Sequence, residues 1–239
     1  MGAKKVARKG AHFLFGARTI KLMRFDVLRL NARFRRMGRH DLKPSSCQLH
    51  LGSGGRHVPG WLNVDVIGSD YDIDFITRLP WKSGSFSVIV SQHVIEHLEL
   101  IDELLPLFSE LKRVLRPGGQ IWLSCPDMEK ICRLYVDGRT RELVEDRTSL
   151  MKRYSLQGAP SQHVVNDLFH QSGEHKNLFD FEMLKWALER NDFTDIRKVD
   201  EAELLQRFPA FPARNDDFHT LYVTAQTLTV SQQERVGQT

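Results

Sequence analysis

What most constrains this chain is an ordered pattern: a short apolar run, Leu49-His50-Leu51, breaks at Gly52-Ser53-Gly54-Gly55, and a second run closes on Asp65, with ten residues between Gly54 and Asp65. A glycine turn directly after a strand lets backbone approach a ligand and offers it amide donors. An acid at the end of the next strand can accept two hydrogen bonds from a ribose. In an open α/β sheet, ligands bind outside the carboxyl ends of the strands, where strand order reverses. The turn does not fit a dinucleotide fingerprint, because GxGxxG needs a glycine where His57 stands, and no GK[ST] follows to make a P-loop. A nucleoside without a pyrophosphate suits it better.

Downstream, strands and helices alternate. The pattern predicts strands at 47–51, up to Asp65, at 71–75 and over the continuous apolar run 86–90, a buried-strand signature. Helical spacing follows from Ile95 to Leu115, with a break near Leu100 and Asp102 capping a second helix that tolerates Pro106 in its first turn. Pro117-Gly118-Gly119 stops it, Gln120 to Ser124 is the next strand, and Asp127 starts another helix. Residues 137–175 are polar and lack a clear period, which reads as a lid or acceptor-side insertion. A helix over 181–190 and strands over 193–199 and 219–228, joined by a loop with Pro209 and Pro212, complete a doubly wound α/β sheet.

The charge is unevenly distributed. Residues 1–43 hold thirteen Lys or Arg and two acids, a net of +11, whereas the remainder carries 21 basic and 28 acidic residues, a net of −7. Ile20, Met23, Val27, Leu30, Phe34 and Met37 recur at three- and four-residue steps among arginines, an amphipathic helix pattern. Three readings compete: a stripe packed on the domain, a helix lying on an anionic membrane surface, and an organelle transit peptide. Phe13 to Ala17 is too short and too interrupted by charge for a secretory signal, and Pro44-Ser45-Ser46 divides the arm, 1–43, from a domain over 44–239. At 41% hydrophobic and 27% charged residues the chain is neither disordered nor fibrous. Cys47, Cys125 and Cys132 form no CxxC pair and suit reduced thiols in a cytoplasmic protein, peripheral to a membrane at most. No uncharged apolar run reaches the roughly 18 residues of a membrane span.

Taken together, Leu49 to Gly54, Asn63-Val64-Asp65, Leu79-Pro80 before Ser85 to Ile89, His93-Val94-Ile95-Glu96-His97-Leu98, and Arg113-Val114-Leu115-Arg116-Pro117-Gly118-Gly119 resemble a class I S-adenosylmethionine-dependent methyltransferase of the type 11 group. Glu174-His175-Lys176 with Phe181 resembles the same group. The resemblance implies a Rossmann-like, mostly parallel seven-stranded sheet with helices on both faces, and S-adenosyl-L-methionine as cofactor. It implies that Leu51, Gly52, Ser53 and Gly54 pass beneath the methionine part of the cofactor, that Asp65 holds the ribose hydroxyls, and that Asp74 lies near the adenine amine. Ser91, Gln92 and His93 would flank the reactive methyl. Two departures are visible: Arg56 stands where many relatives have a third glycine, and Pro59-Gly60-Trp61 makes a tight turn where a long first helix is usual.

For catalysis, His93 is the expected general base, because a hydroxyl acceptor must lose a proton, and His175 is the next candidate. His93 to His97 is also a literal H-x-x-E-H, the inverted zinc-peptidase motif, yet a nucleotide-type sheet and the lack of an obvious third ligand argue against a metal, and none is expected. His163 and His170 read as exposed lid residues, Cys125 as a packed side chain. The leading expectation is methyl transfer to a small-molecule or glycan acceptor, most readily a hydroxyl. RNA methylation is a second reading, disfavoured by the acidic domain; a membrane-associated cofactor-binding module without activity is a third. The residues do not fix the oligomeric state.

Overall fold

The computed structural model describes residues 16–232; residues 1–15, with most of the Phe13–Ala17 segment, and the side chain of Ile20 lie outside the described residues. A helix, α1 (Ala17–Arg36), precedes the sheet. Strands β1 (Gln48–Leu51), β2 (Leu62–Asp65), β3 (Tyr71–Asp72) and β4 (Phe86–Gln92) follow. Next come α2 (Leu105–Val114), β5 (Leu115–Pro126), α3 (Met128–Val136), α4 (Thr140–Leu150) and α5 (His163–His170). The chain ends in α6 (Phe181–Glu189), β6 (Phe193–Val199), α7 (Glu201–Arg207) and β7 (Thr220–Thr227). The strands form one sheet in the order β3-β2-β1-β4-β5-β7-β6, parallel except for β7, which runs antiparallel to β5 and β6. The Rossmann-like, mostly parallel, seven-stranded architecture expected from the sequence is therefore the observed one.

Because side chains alternate along a strand, β4 feeds two cores. Ile89 joins Ile121, Leu123 and Val223 under α2 and α6, whose Phe108, Leu111, Leu184 and Leu188 are fully buried. Val88 and Val90 join Trp122 and Tyr222 on the opposite face, closed by Leu204 of α7 with Phe208 and Phe211. No helix joins β1 to β2. The tight turn there instead places Trp61 edge-on against Phe208 and Phe211, at ring-centroid distances of 5.2 and 4.8 Å. A late segment of the chain thus covers the face that a first crossover helix would cover.

Several expectations need correction. The chain after β4 does not enter a regular helix: a 3-10 turn at Ile95–His97 and a π-helical turn at Leu100–Leu104 precede α2. Asp102 caps nothing, and Pro106 sits at the α2 start, where no donor is missed. The 137–175 region holds α4 and α5, which bury Leu143, Val164 and Leu168 against Ile131 and Leu134 of α3. Its short helices share that small cluster among many polar residues, so the period is faint in sequence. α7 lies inside the predicted 199–219 loop, capped by Asp200, whose side chain accepts from the Glu203 N–H at 2.7 Å.

The arm departs most from expectation. It is helical, but its apolar stripe does not face the domain: Val27, Phe34 and Met37 are 55, 61 and 76% exposed. The docking face consists of Leu28 and Ala32 flanked by arginines. Arg29 and Arg33 place their Nε atoms 3.1 and 2.6 Å from the buried Asp74 carboxylate, Arg29 also reaches Glu103, and the Arg36 guanidinium stacks 3.2 Å over the Tyr71 ring. Among the described residues no helix is long and apolar enough to cross a membrane.

Candidate active site

Chain order reverses between β1 and β4, since β2 and β3 extend to one side and β5 to the other. Register aligns their carboxyl ends: Leu51 pairs with Val64 on β2 and with Ser91 on β4. The Gly52 turn and the Ser91-Gln92 strand end therefore lie side by side at the switch point, where ligands bind in sheets of this kind.

Gly52 has φ +73°, and a Cβ there would meet Val94 Cγ2 at 2.1 Å, so the turn closes on the segment after β4 only because no side chain intervenes. Gly54, at φ +51°, has nothing within 4 Å of a built Cβ, leaving open space above the turn. The expected free amide donors are otherwise employed. The N–H groups of Gly52 and Ser53 donate to the Val64 carbonyl at 2.7 and 3.1 Å, and Gly54 N–H donates to Asp65 Oδ2 at 2.7 Å. Asp65 Oδ1 accepts from Val66 N–H at 2.6 Å, which locks the carboxylate beside the turn with lone pairs to spare. The turn thus contributes room and an oriented acid rather than amides.

Two buried hydroxyls nearby, Ser53 Oγ and Ser91 Oγ, have no hydrogen-bond partner. Buried polar atoms normally find partners. An open glycine turn, an anchored acid and two unspent hydroxyls fit a polar, nucleoside-bearing ligand. Gln92 is buried beside them. Asp74 is buried as well, but its carboxylate is held by Arg29 and Arg33, so the acid expected at the adenine edge lies under the arm.

His93 sits in the left-handed region, φ +56°, with its N–H donating to the Ser124 carbonyl at 2.8 Å. A non-glycine residue held there stores strain of the kind found at functional sites. His93 lies outside the 3-10 turn Ile95–His97 that follows it, so the two histidines of H-x-x-E-H do not share a helix face. His93 Nε2 lies 3.0 Å from Asp216 Oδ2 and Nδ1 lies 3.2 Å from Glu96 Oε1. Burial opposes the imidazolium, but the two carboxylates outweigh it and raise the His93 pKa above the ordinary value. Asp216 also accepts from Tyr222 OH at 2.6 Å and Arg214 Nε at 2.8 Å, and its pKa is lowered, the His93, Tyr222 and Arg214 contacts overcoming burial. Sequence reading missed Asp216 and Arg214, since they lie in a polar loop 123 and 121 residues beyond His93 with no period or motif to single them out.

His175 adjoins that network through Glu96, whose carboxylate oxygen lies within 4.8 Å of one of its ring nitrogens. Its Nδ1 donates to the Leu168 carbonyl at 2.7 Å, its ring meets His97 edge-on at 4.9 Å, and burial lowers its pKa. His163 is about half exposed, 3.8 Å from Asp167, and His170 is exposed. Cys125 is fully buried, and burial pushes its thiol pKa well up, as suits a packed side chain.

Residues 62–123, spanning β2 to β5, match the family described as a methyltransferase domain. No curated protein matches. Among solved structures, phosphoethanolamine N-methyltransferase 2 of Haemonchus contortus, in complex with S-adenosyl-L-methionine, is 14% identical over 83% of this chain and 52% of that one, with a TM-score of 0.45. The YcgJ protein of Bacillus subtilis is 12% identical over 84% of this chain and 97% of that one, TM-score 0.42. The citrinin polyketide synthase CMeT domain is 10% identical over 79% and 48%, TM-score 0.46. This chain thus spans about half the length of the Haemonchus enzyme.

Sheet order and the family match are together those of an S-adenosylmethionine-dependent methyltransferase domain. The matched segment covers 62 of the 239 residues.

Proposed function

We propose that the chain transfers a methyl group from S-adenosylmethionine to a small-molecule or glycan acceptor, with a hydroxyl as the favoured nucleophile. The observation that carries the reading is the switch point between β1 and β4, where the glycine turn, open at Gly54, the anchored Asp65 and the unpartnered Ser53 and Ser91 hydroxyls come together. The cofactor supplies an electrophilic methyl on a sulfonium, so the protein's task is chiefly positioning. Asp65 accepts from the ribose, Leu51 to Gly54 pass beneath the methionine part, and Ser91 and Gln92 border the methyl.

His93 has a carboxylate at each ring nitrogen, so it is better placed to hold a charge than to take a proton. We assign it the positioning of the acceptor. The proton of a hydroxyl then falls to a neutral imidazole, and His175 Nε2 is the buried imidazole nitrogen without a hydrogen-bond partner. On this assignment His93→Gln retains most of the turnover while His175→Ala lowers it by about 100-fold. The reverse result returns the base to His93.

Cofactor placement is tested by titration calorimetry with S-adenosylhomocysteine. Asp65→Ala weakens binding by at least about 1.5 kcal/mol through loss of charge-assisted hydrogen bonds. Unchanged affinity in a folded variant removes Asp65 from the site.

One observation supports association of the arm with an anionic membrane surface: Met23, Val27, Leu30, Phe34 and Met37 point outward. It also weighs against RNA as the acceptor, because Arg29, Arg33, Arg35 and Arg36 are spent on Glu103, Asp72, Asp74 and Tyr71 rather than left for phosphates.

A further inference from the structure

Two distant segments are stitched together behind β4. The N–H groups of Lys176 and Asn177 donate to the Glu96 carbonyl at 2.8 and 3.2 Å, and the Asn177 side chain donates to the Leu98 carbonyl. The seam brings ligating atoms of Glu96, His97 and His175 within 4.8 Å of one another. Their protonation follows from their neighbours. A carbonyl can only accept, so the 2.7 Å contact to Leu168 O puts the His175 proton on Nδ1 and leaves the Nε2 lone pair bare. His97 Nδ1, 3.3 Å from the Glu174 carbonyl, takes the same tautomer. His175 Nε2 is buried without a hydrogen-bond partner. Glu96 is 1% exposed, and neither of its carboxylate oxygens is hydrogen-bonded; Oε1 has only the ion-pair contact with His93.

Glu96 Oε2 and His175 Nε2 are therefore buried acceptors without a donor in a cluster that also holds His97, an arrangement that costs free energy. A cation would satisfy all three. Histidines that give Nδ1–H to a carbonyl while presenting Nε2 have the outer contacts usual for metal ligands. We propose that Glu96, His97 and His175 bind one divalent transition-series cation of the Zn2+ kind.

Two imidazoles and a carboxylate form a donor set of the right softness, and three protein ligands leave a fourth position open. Bonds of about 2.1 Å would draw the donors to about 3.4 Å apart, so binding closes the cluster slightly. His93, engaged by Asp216, is not a ligand, which separates this site from peptidase chemistry. The third ligand that the H-x-x-E-H segment lacks comes from the end of the 137–175 region, and the cation ties that region to the turn after β4. A bound cation occupies the lone pair that a base would use, so His175 serves as the base only in the cation-free protein; the site rests on the donor geometry and not on the methyl-transfer reading.

The test uses the full chain, stripped with chelator and dialysed, titrated with Co2+ and followed by its visible ligand-field absorption, with Zn2+ in competition. Saturable one-to-one binding is expected, weakened at least about 100-fold in His175→Ala and in the isosteric Glu96→Gln, and unchanged when His163 and His170 are both replaced by Ala. Zn2+ should also slow proteolysis within residues 140–170 of the wild type but not of His175→Ala. Absence of saturable binding in natively folded protein, or equal affinity in His175→Ala, overturns the proposal. Should Glu96→Gln fail to fold, His97→Ala takes its place and must weaken binding. Affinity for S-adenosylhomocysteine, measured on the same samples, reports on the methyl-transfer reading separately.

Discussion

His50, on β1 next to the glycine turn, is 2% exposed, with Nδ1 3.3 Å from Asn63 Oδ1. Burial lowers its pKa to about 4, the Asn63 contact only partly offsetting it. Between about 4 and 6.5 the unfolded chain takes up a proton that the folded chain refuses, so stability is intact above 6.5 and falls as pH drops toward 4, by about 3 kcal/mol in all. Urea unfolding at pH 7 and pH 4.5 should show that loss in the wild type and much less of it in His50→Gln. Parallel losses would assign the acid sensitivity elsewhere. At this scale the sequence was partly legible. Leu51, Gly52, Ser53, Gly54 and Asp65 could be selected because strand, turn and acid are close in the chain, and Gly54 N–H does meet the Asp65 carboxylate. The partners of His93 could not be, because Asp216 reaches it only through the antiparallel return of β7, which leaves no local signal.

At the scale of elements, the strands were well marked by continuous apolar runs, whereas the α1 period gave a helix without saying which face docks. Six recurring apolar positions suggested the stripe, yet the buried acid Asp74 decides the matter: a carboxylate out of water needs a counter-charge, and Arg29 and Arg33 supply it. Replacing both arginines by Ala should lower stability by about 1–3 kcal/mol, with the lower end favoured because Arg33 is 45% exposed and well solvated. In a cycle with Asp74→Asn the losses should not add, since the variants remove one interaction. Additive losses would mean that Leu28 and Ala32, not the ion pairs, hold the helix.

For the whole molecule, the division between a +11 arm and a −7 remainder is a device for self-docking as much as for meeting a partner. The expected boundary at Pro44 is also less clean than the charge suggests, because Leu42 already bridges Trp81 and its N–H donates to the Pro80 carbonyl at 2.8 Å. A chain starting at Ser45 loses this bridge and both Asp74 partners. It should keep the glycine turn and bind S-adenosylhomocysteine, but melt several degrees lower, at about 2–4 °C per kcal/mol for a chain of this size. Docking uses the face of α1 opposite the exposed stripe, so the proposed surface association can be tested separately. Leu30→Asp with Phe34→Asp alters side chains that are 48 and 61% exposed. That pair should leave the melting temperature nearly unchanged while abolishing co-sedimentation with phosphatidylserine vesicles. The Arg29 and Arg33 replacements should do the opposite, lowering the melting temperature while vesicle binding persists. If the aspartate pair lowers the melting temperature as much as the arginine pair, the stripe belongs to the fold; if full-length protein ignores the vesicles, the membrane reading fails and the exposed stripe has another partner.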